Sequence, residues 1–482
     1  MVHVSAEYYP HARSGGLAEA VANLATWQSA MGVRSLALLP LYRSARRTAG
    51  PLAQVGDPLR VRIGDAELTG RLLESEEDRP GPRVLFIEHD GFFDRERLYG
   101  DAGGDYPDNH LRYAFFSLAA LQALPRVCPG PVLLHAHDWH AALALLFLRT
   151  RFAGDPWYDG IRTVLSVHNA GYQGHYPPDV LDQLSIPAGL FTWRHLEWYG
   201  KVNLLKGGLV LADRVVTVSP NHARELRTPA GGFGLQEVFS WLGPRFRGIL
   251  NGIDQKVWDP ASDPQIPARY TAQDPAGKAE CKLVVQREFG LAPAPAAPLF
   301  SMAARLVTQK GIDLLLQCPA LFSLGAQFVF IGAGEPRFER ALAELASQQP
   351  GRIALNTAFT DRLEHLLIAG ADFLLMPCLY EPCGLTQMRA LRYGAIPIVR
   401  RVGGLADTVE DGVTGFGFEP YQPDSLLGAV LRGLDCYAVP PEWDRLRRNA
   451  MSRDFGWERS IEQYLQVYRE ALDPNGFRPH AP

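Results

Sequence analysis

Two cations follow a short apolar run in the second half of the chain. Arg305 and Lys310 lie in Ala-Arg-Leu-Val-Thr-Gln-Lys-Gly, directly after a predicted strand at Leu299 to Ala303. Fixed cations at a junction between a strand and a helix can neutralise a diphosphate, a task that magnesium performs elsewhere. The sequence therefore predicts an anion site here, with no metal required.

A carboxylate stands in the loop after another predicted strand, Phe373 to Met376. Glu381 begins Glu-Pro-Cys-Gly-Leu-Thr-Gln, and a helix is predicted to start near Gly384, Leu385 and Thr386. The carboxylate can accept hydrogen bonds from sugar hydroxyls while the start of the helix binds phosphate. The alternative is that Glu381 only caps this helix.

A glycine turn separates the first predicted strand from an amphipathic helix. Arg13 is followed by Ser-Gly15-Gly16-Leu-Ala-Glu. Free N–H groups at such a turn can approach an anion, and a neighbouring cation would add direct pairing with phosphate. For a lone glycine pair, a tight connection without a ligand is the favoured interpretation.

Three histidines and an aspartate follow a predicted strand in His135-Ala-His137-Asp138-Trp139-His140. These are metal-ligand types, so a zinc site formed by His135, His137 and His140 is one interpretation. The aspartate, however, stands one place earlier than in the similar run of binuclear zinc hydrolases. The favoured interpretation places Asp138 and Trp139 at the carboxyl edge of a parallel sheet, where open α/β sheets bind ligands.

His168 ends the next predicted strand in Val167-His168-Asn169. A histidine there is either a hydrogen-bonded structural residue or part of a site. Because several strands carry polar residues where they end, the sequence favours a site at this edge.

Short β-branched runs alternate with longer helical segments, which is typical of βαβ units around parallel sheets. Two series are visible, so the sequence predicts an α/β fold with two doubly wound domains and a boundary near Gly243 to Asn251. The predicted strands are Val2–Ser5, Ser35–Leu39, Val132–Ala136, Thr163–His168 and Arg214–Ser219, then Leu299–Ala303, Phe328–Ile331, Ile353–Leu355, Phe373–Met376 and Ile396–Val399.

Composition excludes several classes of protein. The 482 residues carry a net charge of -4 and are 47% hydrophobic, which indicates a globular chain without a positive field for nucleic acid or anionic lipid. Six scattered cysteines and an N-terminus without a signal pattern predict a cytoplasmic protein with free thiols. The uncharged stretch from Leu314 to Gly334 is interpreted as a helix end, a turn and a strand, and no membrane contact is expected.

Taken together, the motifs resemble the bacterial glycogen synthases and plant starch synthases. Nearly the whole chain takes part in the resemblance, and the motifs follow the family's order. They are Val-His-Val-Ser-Ala-Glu, Ser-Gly-Gly-Leu-Ala, His-Ala-His-Asp-Trp-His, Ser-Val-His-Asn-Ala-Gly-Tyr-Gln-Gly, Val-Ser-Pro, Leu-Asn-Gly-Ile-Asp, Ala-Arg-Leu-Val-Thr-Gln-Lys-Gly, Glu-Pro-Cys-Gly-Leu-Thr-Gln and Thr-Gly-Phe-Gly-Phe.

The resemblance implies two Rossmann-like domains that face each other across a cleft, the GT-B type. The implied domains are 1–245 for the acceptor and 246–453 for the nucleotide sugar, with a C-terminal helical segment, 454–482, crossing back to the first. The implied reaction transfers glucose from ADP-glucose to the non-reducing 4-hydroxyl of an α-1,4-glucan with retention. No cofactor or metal is implied, and a homo-oligomer is compatible with the sequence.

The resemblance also implies roles for particular residues. Glu381 is expected to hold sugar hydroxyls and stabilise the cationic ring, with His168 and Asp138 near the transferred sugar. The implied donor and phosphate contacts are Arg13, Gly15, Gly16, Arg305, Lys310, Cys383, Gly384, Leu385 and Thr386, and the implied cleft residues are Glu7, Tyr99, Trp139 and Asn251.

Two positions depart from the family pattern. Arg13 stands where the family usually has lysine, which keeps the charge but changes the geometry. Arg389 stands where many two-Rossmann retaining transferases have a second glutamate, although the synthase family has a non-acidic residue there, so of these two glutamate positions only Glu381 is claimed. Besides the zinc hydrolase, a catalytically inactive glucan-binding scaffold is an alternative, and the preference for ADP-glucose over UDP-glucose rests on the resemblance alone.

Overall fold

The computed structural model of the protein describes residues 1–76, 81–101, 104–130, 132–473 and 476–477. The chain divides into two compact units. Unit 1 comprises Met1–Val218, Ala223–Leu250 and Trp457–Pro482, and unit 2 comprises Ser219–His222 and Asn251–Gly456. The predicted C-terminal segment, 454–482, includes residues 474–475 and 478–482, which lie outside the described ranges.

Unit 1 is built on a ten-stranded sheet formed by described residues. Its strand order is β15-β14-β10-β9-β1-β2-β6-β5-β3, with β4 paired to β5. The strands of this unit are β1 (Val2–Val4), β2 (Leu36–Pro40), β3 (Leu52–Gln54), β4 (Leu59–Ile63), β5 (Ala66–Ser75), β6 (Arg83–Glu88), β7 (Gly100–Asp101), β8 (Gly104–Asp105), β9 (Leu133–His137), β10 (Arg162–Val167), β11 (His175–Tyr176), β12 (Glu197–Trp198), β13 (Lys201–Asn203), β14 (Arg214–Thr217) and β15 (Phe246–Gly248).

Every pairing from β15 through β6 is parallel. Along the chain, strands are added on one side of β1 as far as β6 and then on its other side from β9 onward. The order therefore reverses between β1 and β9, and such a switch point is where doubly wound sheets bind ligands. Because β15 is the edge strand of this sheet, unit 1 extends to Leu250 and not only to the predicted residue 245.

The antiparallel strands β3, β4 and β5 were not predicted. They extend the sheet beyond β6. In β4, residues Leu59, Val61 and Ile63 are buried while Arg60 and Arg62 are exposed. This alternation is the mark of a strand that buries one face, so the signal was present in the sequence.

The helices in this part of the chain cover the sheet and bury its apolar side chains. Short 3₁₀ turns occur at Ala188–Leu190 and Gly243–Arg245. The helices are α1 (Gly16–Ala30), α2 (Arg43–Thr48), α3 (Asp90–Phe93), α4 (Asn109–Val127), α5 (Asp138–Thr150), α6 (Pro156–Asp159), α7 (Val180–Gln183), α8 (Leu204–Leu211), α9 (Pro220–Glu225) and α10 (Gln236–Trp241).

Unit 2 contains a six-stranded parallel sheet with the order β18-β17-β16-β19-β20-β21 among its described residues. In chain order this is 3-2-1-4-5-6, the Rossmann arrangement, and its switch point lies between β16 and β19. The strands are β16 (Leu299–Ala303), β17 (Gln327–Ile331), β18 (Ile353–Asn356), β19 (Phe373–Met376), β20 (Ile396–Arg400) and β21 (Phe416–Phe418).

Helices flank this second sheet and complete the βαβ units. The stretch 314–334 contains the predicted helix end and strand, but a second short helix, Pro319–Phe322, lies between them where a turn was predicted. No helix of the described residues is long and apolar enough to cross a membrane. The helices are α11 (Ala276–Glu288), α12 (Ile312–Leu316), α13 (Pro319–Phe322), α14 (Pro336–Gln348), α15 (Asp361–Gly370), α16 (Thr386–Arg392), α17 (Gly403–Thr408), α18 (Pro423–Tyr437) and α19 (Pro440–Met451), with a 3₁₀ turn at Thr308–Lys310.

The last helix, α20 (Glu458–Leu472), belongs to unit 1. Its buried side chains recur every three or four residues, so they form one face of the helix. They pack against apolar residues of α1, β9, β10 and β14. The members of this face are Ile461, Tyr464, Val467, Tyr468 and Ala471.

Candidate active site

At the switch point of unit 1, the loop after β1 is organised by a buried carboxylate. Glu7 accepts hydrogen bonds from the backbone N–H of Ser14 (2.7 Å), the Ser14 hydroxyl (2.6 Å) and the N–H of Gly15 (3.3 Å). Tyr99 donates its hydroxyl proton to the same carboxylate at 2.6 Å. Burial, followed by the charge of Glu7, raises the pKa of Tyr99, so the phenol keeps its proton.

The predicted glycine turn therefore faces a carboxylate of the protein itself. Gly15 directs its N–H at Glu7, and Gly16 begins α1. The guanidinium of Arg13 lies 3.1 Å from the Glu19 carboxylate. A phosphate role for these three positions stays a prediction, and Ser14 is a residue of this loop that the sequence reasoning missed.

Across the switch point, Asp138 follows β9 directly and has a left-handed backbone, with φ of 56°. Such a backbone is costly for a residue with a side chain and is often found at functional positions. The carboxylate accepts hydrogen bonds from the N–H groups of His168 (2.6 Å) and Asn169 (3.4 Å). Burial raises the pKa of Asp138 to about 7, although these two N–H groups act in the opposite direction.

Trp139 and His140 turn into the protein beside Asp138. Trp139 is buried and packs edge-on against Tyr113. His140 stacks on the ring of Tyr99, with 4.6 Å between centroids. Burial lowers the pKa of His140 to about 3, so its ring is neutral.

The histidines assemble differently from the predicted zinc triad. His135 and His137 alternate with Ala136 on β9 and so share one face of the sheet, whereas His140 lies on α5. The third member of their cluster is His3 from β1. Every ring nitrogen of His3, His135 and His137 has a hydrogen-bond partner, which accounts for the cluster without a metal.

His168 is half-buried at the end of β10 and joins this cluster through its Nε2, which lies 3.0 Å from Nδ1 of His137. Burial lowers the pKa of His168 to about 3, so the ring is neutral at physiological pH. Its Nδ1 has no hydrogen-bond partner among the described residues. The structure thus brings Asp138 and His168 together at one sheet edge, and the free nitrogen belongs to His168.

At the switch point of unit 2, the predicted cation and carboxylate meet. The Lys310 ammonium forms an ion pair with the Glu381 carboxylate, and both side chains are largely buried. Burial acts to lower the pKa of Lys310, but the charge of Glu381, the neighbouring Cys378 and the hydrogen bond to Glu381 together outweigh it and raise the pKa above the ordinary value. Cys378, which the sequence reasoning missed, lies with its Sγ 3.6 Å from the same carboxylate.

Glu381 does not cap α16. The partners of its side chain are Lys310 and Cys378, and no side chain caps the N-terminus of that helix. Arg305 is exposed after β16, and its guanidinium has no partner among the described residues. The switch point of unit 2 therefore holds one paired cation and one cation available to a ligand.

Close backbone approaches hold these loops in place. Gly311 has φ of 78°, and a Cβ there would lie 2.1 Å from the carbonyl oxygen of Pro377. Gly403 has φ of 44°, and a Cβ there would lie 1.8 Å from the carbonyl oxygen of Glu381. Only glycine combines this backbone conformation with so close an approach, so each loop can lie directly against the Pro377 to Glu381 segment.

The remaining predicted donor contacts surround the start of α16. Gly384 has φ of 70°, and the Gln387 side chain folds back to donate hydrogen bonds to the carbonyls of Cys383 and Gly384. Leu385 precedes the helix, which begins at Thr386. Burial raises the pKa of the Cys383 thiol to about 12, so this sulfur is no thiolate nucleophile.

Asn251, a predicted cleft residue, is buried in unit 2. Its backbone N–H contacts the sulfur of Cys383. The side-chain oxygen of Asn251 is buried without a hydrogen-bond partner among the described residues. An unpaired buried amide oxygen is costly, so it is a polar group that a bound ligand could satisfy.

Comparison with known proteins decides the family. The starch synthase catalytic domain family matches residues 1–241, and glycosyl transferases group 1 match residues 289–453. The glycogen synthase of Syntrophotalea carbinolica is 41% identical, with 97% of this chain and 98% of the relative covered. The chain belongs to the glycogen and starch synthase family. It is therefore a glucosyltransferase, as the sequence motifs predicted.

Other members of the family support the same conclusion. The glycogen synthase of Myxococcus xanthus is 41% identical, with 98% of this chain and 99% of the relative covered. The structure of the catalytic domain of Arabidopsis thaliana starch synthase IV, bound to ADP and acarbose, has a TM-score of 0.89 at 31% identity and covers 98% of this chain and 99% of its own. These comparisons give no support to the zinc hydrolase.

A more distant structure shows the fold alone. Sucrose-phosphate synthase from Thermosynechococcus elongatus is 18% identical, has a TM-score of 0.63 and covers 97% of this chain and 98% of its own. The prediction of two doubly wound Rossmann-like domains is confirmed.

Proposed function

We propose that the protein transfers glucose from ADP-glucose to the non-reducing 4-hydroxyl of an α-1,4-glucan with retention of the anomeric configuration. The observation that carries this proposal is the cluster of Arg305, Lys310 and Glu381 at the switch point of unit 2. A cation without a partner suits a diphosphate, and a buried carboxylate suits the hydroxyls and developing positive charge of a glucosyl ring.

The diphosphate contacts are proposed to be Arg305 and Lys310. Arg305 can present two N–H groups to one phosphate, and Lys310 adds a second positive charge. Because Lys310 is also paired with Glu381, it ties the position of the carboxylate to that of the phosphates. Two fixed cations can stabilise the departing diphosphate, so we propose that no metal ion takes part.

Three residues are proposed to act on the sugar, Glu381 in unit 2 and Asp138 and His168 in unit 1. Glu381 stabilises the cationic ring without forming a covalent bond to it. Neutral His168 can accept a hydrogen bond from a sugar hydroxyl at its Nδ1. Glu7, Tyr99 and Trp139 are the proposed acceptor contacts of unit 1, and their neutral or internally paired groups suit an uncharged glucan.

The choice of ADP-glucose is supported by family membership and by the ADP in the starch synthase IV structure. It is tested by measuring the incorporation of radiolabelled glucose into glycogen from ADP-glucose and from UDP-glucose, with a reaction that lacks the enzyme as the control for background transfer. A kcat/KM for UDP-glucose that equals or exceeds that for ADP-glucose would contradict the donor assignment.

Two additions to this assay test the linkage and the metal. Labelled product should be released by an exo-glucosidase specific for α-1,4 bonds, whereas resistance to that enzyme would contradict the acceptor position and retention. Activity should persist after dialysis against EDTA. Loss of activity on chelation, with recovery when a metal ion is restored, would contradict a mechanism that uses cations of the protein alone.

A further inference from the structure

A chain of four hydrogen-bonded side chains runs through the interior of unit 1, from α1 to the end of β10. Oε1 of Gln28 lies 2.8 Å from Nε2 of His3, and Nδ1 of His3 lies 3.0 Å from Nε2 of His137. Nδ1 of His137 then lies 3.0 Å from Nε2 of His168. Each imidazole thus uses one nitrogen toward α1 and the other toward the sheet edge.

The three rings are neutral, because burial lowers the pKa of each. The pKa of His3 falls to about 4 and that of His168 to about 3, while that of His137 falls well below its ordinary value. A neutral imidazole has one N–H donor and one acceptor nitrogen. The direction of the first hydrogen bond therefore fixes the proton position on every ring of the chain.

The first hydrogen bond is directed by the amide of Gln28. Its Nε2 donates to the hydroxyl of Tyr468 on α20 at 2.8 Å, and the hydroxyl of Ser35 donates to its Oε1 at 2.9 Å. The amide oxygen therefore faces His3, which must donate from Nε2. It follows that His137 and His168 also carry their protons on Nε2.

A second branch agrees with this orientation of the amide. The Tyr468 hydroxyl accepts from Gln28, so its own proton is directed to Nδ1 of His135 at 3.0 Å. His135 then carries its proton on Nε2, which lies 2.7 Å from the hydroxyl of Ser166. Both branches are consistent with a single direction of hydrogen bonding that begins at Gln28.

We propose that Gln28 is a positioning residue, held by Tyr468, that keeps His168 in the Nε2–H tautomer and leaves its Nδ1 free to accept a hydrogen bond from a sugar hydroxyl. The part that concerns the sugar rests on the proposed function. The tautomer itself does not. The C-terminal helix α20 then has a role besides packing, because its Tyr468 hydroxyl orients the amide of Gln28.

The proposal is tested by NMR of the full-length protein labelled with ¹⁵N in its histidine rings. Long-range proton–nitrogen correlations distinguish a protonated ring nitrogen from an unprotonated one, and the signal missing in His168→Asn identifies His168. We expect His168 to be protonated on Nε2 in the unsubstituted protein. Protonation on Nδ1 would overturn the proposal, whether or not any variant folds.

Gln28→Met tests the cause, because it keeps the length of the side chain and removes the amide. We expect the His168 signals to become a mixture of the two tautomers. The kcat/KM for ADP-glucose should then fall roughly two- to tenfold, in proportion to the share of the competent tautomer. Unchanged His168 signals in Gln28→Met would refute the role of Gln28.

Leu24→Ala is the matched control. Leu24 lies on the same helix and packs against the face of α20, but it has no place in the chain of hydrogen bonds. It should lower stability and leave the tautomer of His168 unchanged. If Leu24→Ala shifts the tautomer of His168 as Gln28→Met does, the hydrogen bonds respond to any loss of packing, and the proposal is wrong.

The NMR and the enzymatic measurements can refute the tautomer assignment and the proposed function independently of each other. A protein with the expected tautomer that does not use ADP-glucose would refute the proposed function and leave the proton assignment intact. An active protein with His168 protonated on Nδ1 would refute only the inference about Gln28.

Discussion

The two switch points of this chain have the same topology and opposite chemistry. In unit 1 the polar groups are neutral histidines, and the Glu7 and Asp138 carboxylates are met by hydroxyl and backbone N–H donors. In unit 2 a buried ion pair lies beside Arg305, which is exposed and has no partner among the described residues. The same fold thus presents one edge suited to hydroxyl groups and another suited to an anion.

The difference indicates that the two units recognise their ligands through different kinds of groups. A neutral hydrogen-bonded network can keep its geometry without a ligand, since its members satisfy one another. An exposed cation such as Arg305, by contrast, forms an ion pair only when an anionic ligand binds. Substitutions in the two units should therefore separate stability, donor binding and turnover.

The largest effect is expected for Lys310→Met. This substitution leaves the Glu381 carboxylate buried without its partner, which costs about 3 to 5 kcal/mol of stability. Chemical denaturation should show this loss, and donor affinity should fall as well. The double variant Lys310→Met with Glu381→Gln should recover most of the stability but not the activity. A double variant as unstable as the single one would argue against the ion pair.

Glu381→Gln comes next and isolates turnover. The amide keeps the shape of the side chain but loses the charge that we propose stabilises the glucosyl ring. We expect kcat to fall roughly 10- to 150-fold, the equivalent of about 1.5 to 3 kcal/mol, with ADP affinity within a few-fold. Steady-state kinetics at saturating ADP-glucose measures this, and an unchanged kcat would leave Glu381 with a purely structural role.

Acid should destabilise unit 1 through its buried histidines. Their pKa values are lowered on folding, so below the unfolded value of about 6.5 the unfolded chain binds protons that the folded chain does not. Stability should therefore be lost as the pH falls from about 6.5 toward the folded values of about 4 for His3 and 3 for His168. Denaturation at a series of pH values measures the slope.

His135→Gln sharpens this test, since glutamine can contact both Tyr468 and Ser166. Removing one such histidine should reduce the slope of stability against pH by about 1.4 kcal/mol per pH unit. The same slope in both proteins would mean that His135 is protonated in the folded state.

The smallest effect is expected for Arg13→Lys. Arg13 is paired with Glu19, and lysine can keep both that contact and the charge offered to a phosphate. We expect kcat/KM for ADP-glucose to remain within about threefold of the parent value. A fall of more than about tenfold would show that the planar guanidinium is required.

Much of the fold could be predicted because the parallel strands are short, continuous apolar runs. Leu299–Ala303 and Phe373–Met376 have the predicted bounds. The antiparallel strands β3 to β5 were missed, although the alternation of buried and exposed residues in β4 is visible in the sequence. At the site, residues that directly follow strands, such as Asp138 and Glu381, could be found from their position in the sequence.

Contacts between distant segments could not be predicted in this way. His3, Gln28 and Tyr468 come from a strand, a helix and the last helix, and no spacing in the sequence relates them. The pairing of Lys310 with Glu381 likewise depends on β16 and β19 being neighbours in the sheet. Sequence position identifies which residues stand at a sheet edge, whereas the strand order decides which of them meet.

Isothermal titration of Arg305→Ala with ADP and with maltoheptaose can show whether unit 2 binds the anion and unit 1 the uncharged glucan. Arg305 is exposed and has no described partner, so its loss should leave the fold intact. We expect ADP affinity to fall roughly 10- to 150-fold while maltoheptaose affinity stays within about twofold. Unchanged ADP affinity, or an equal loss for both ligands, would contradict this expectation.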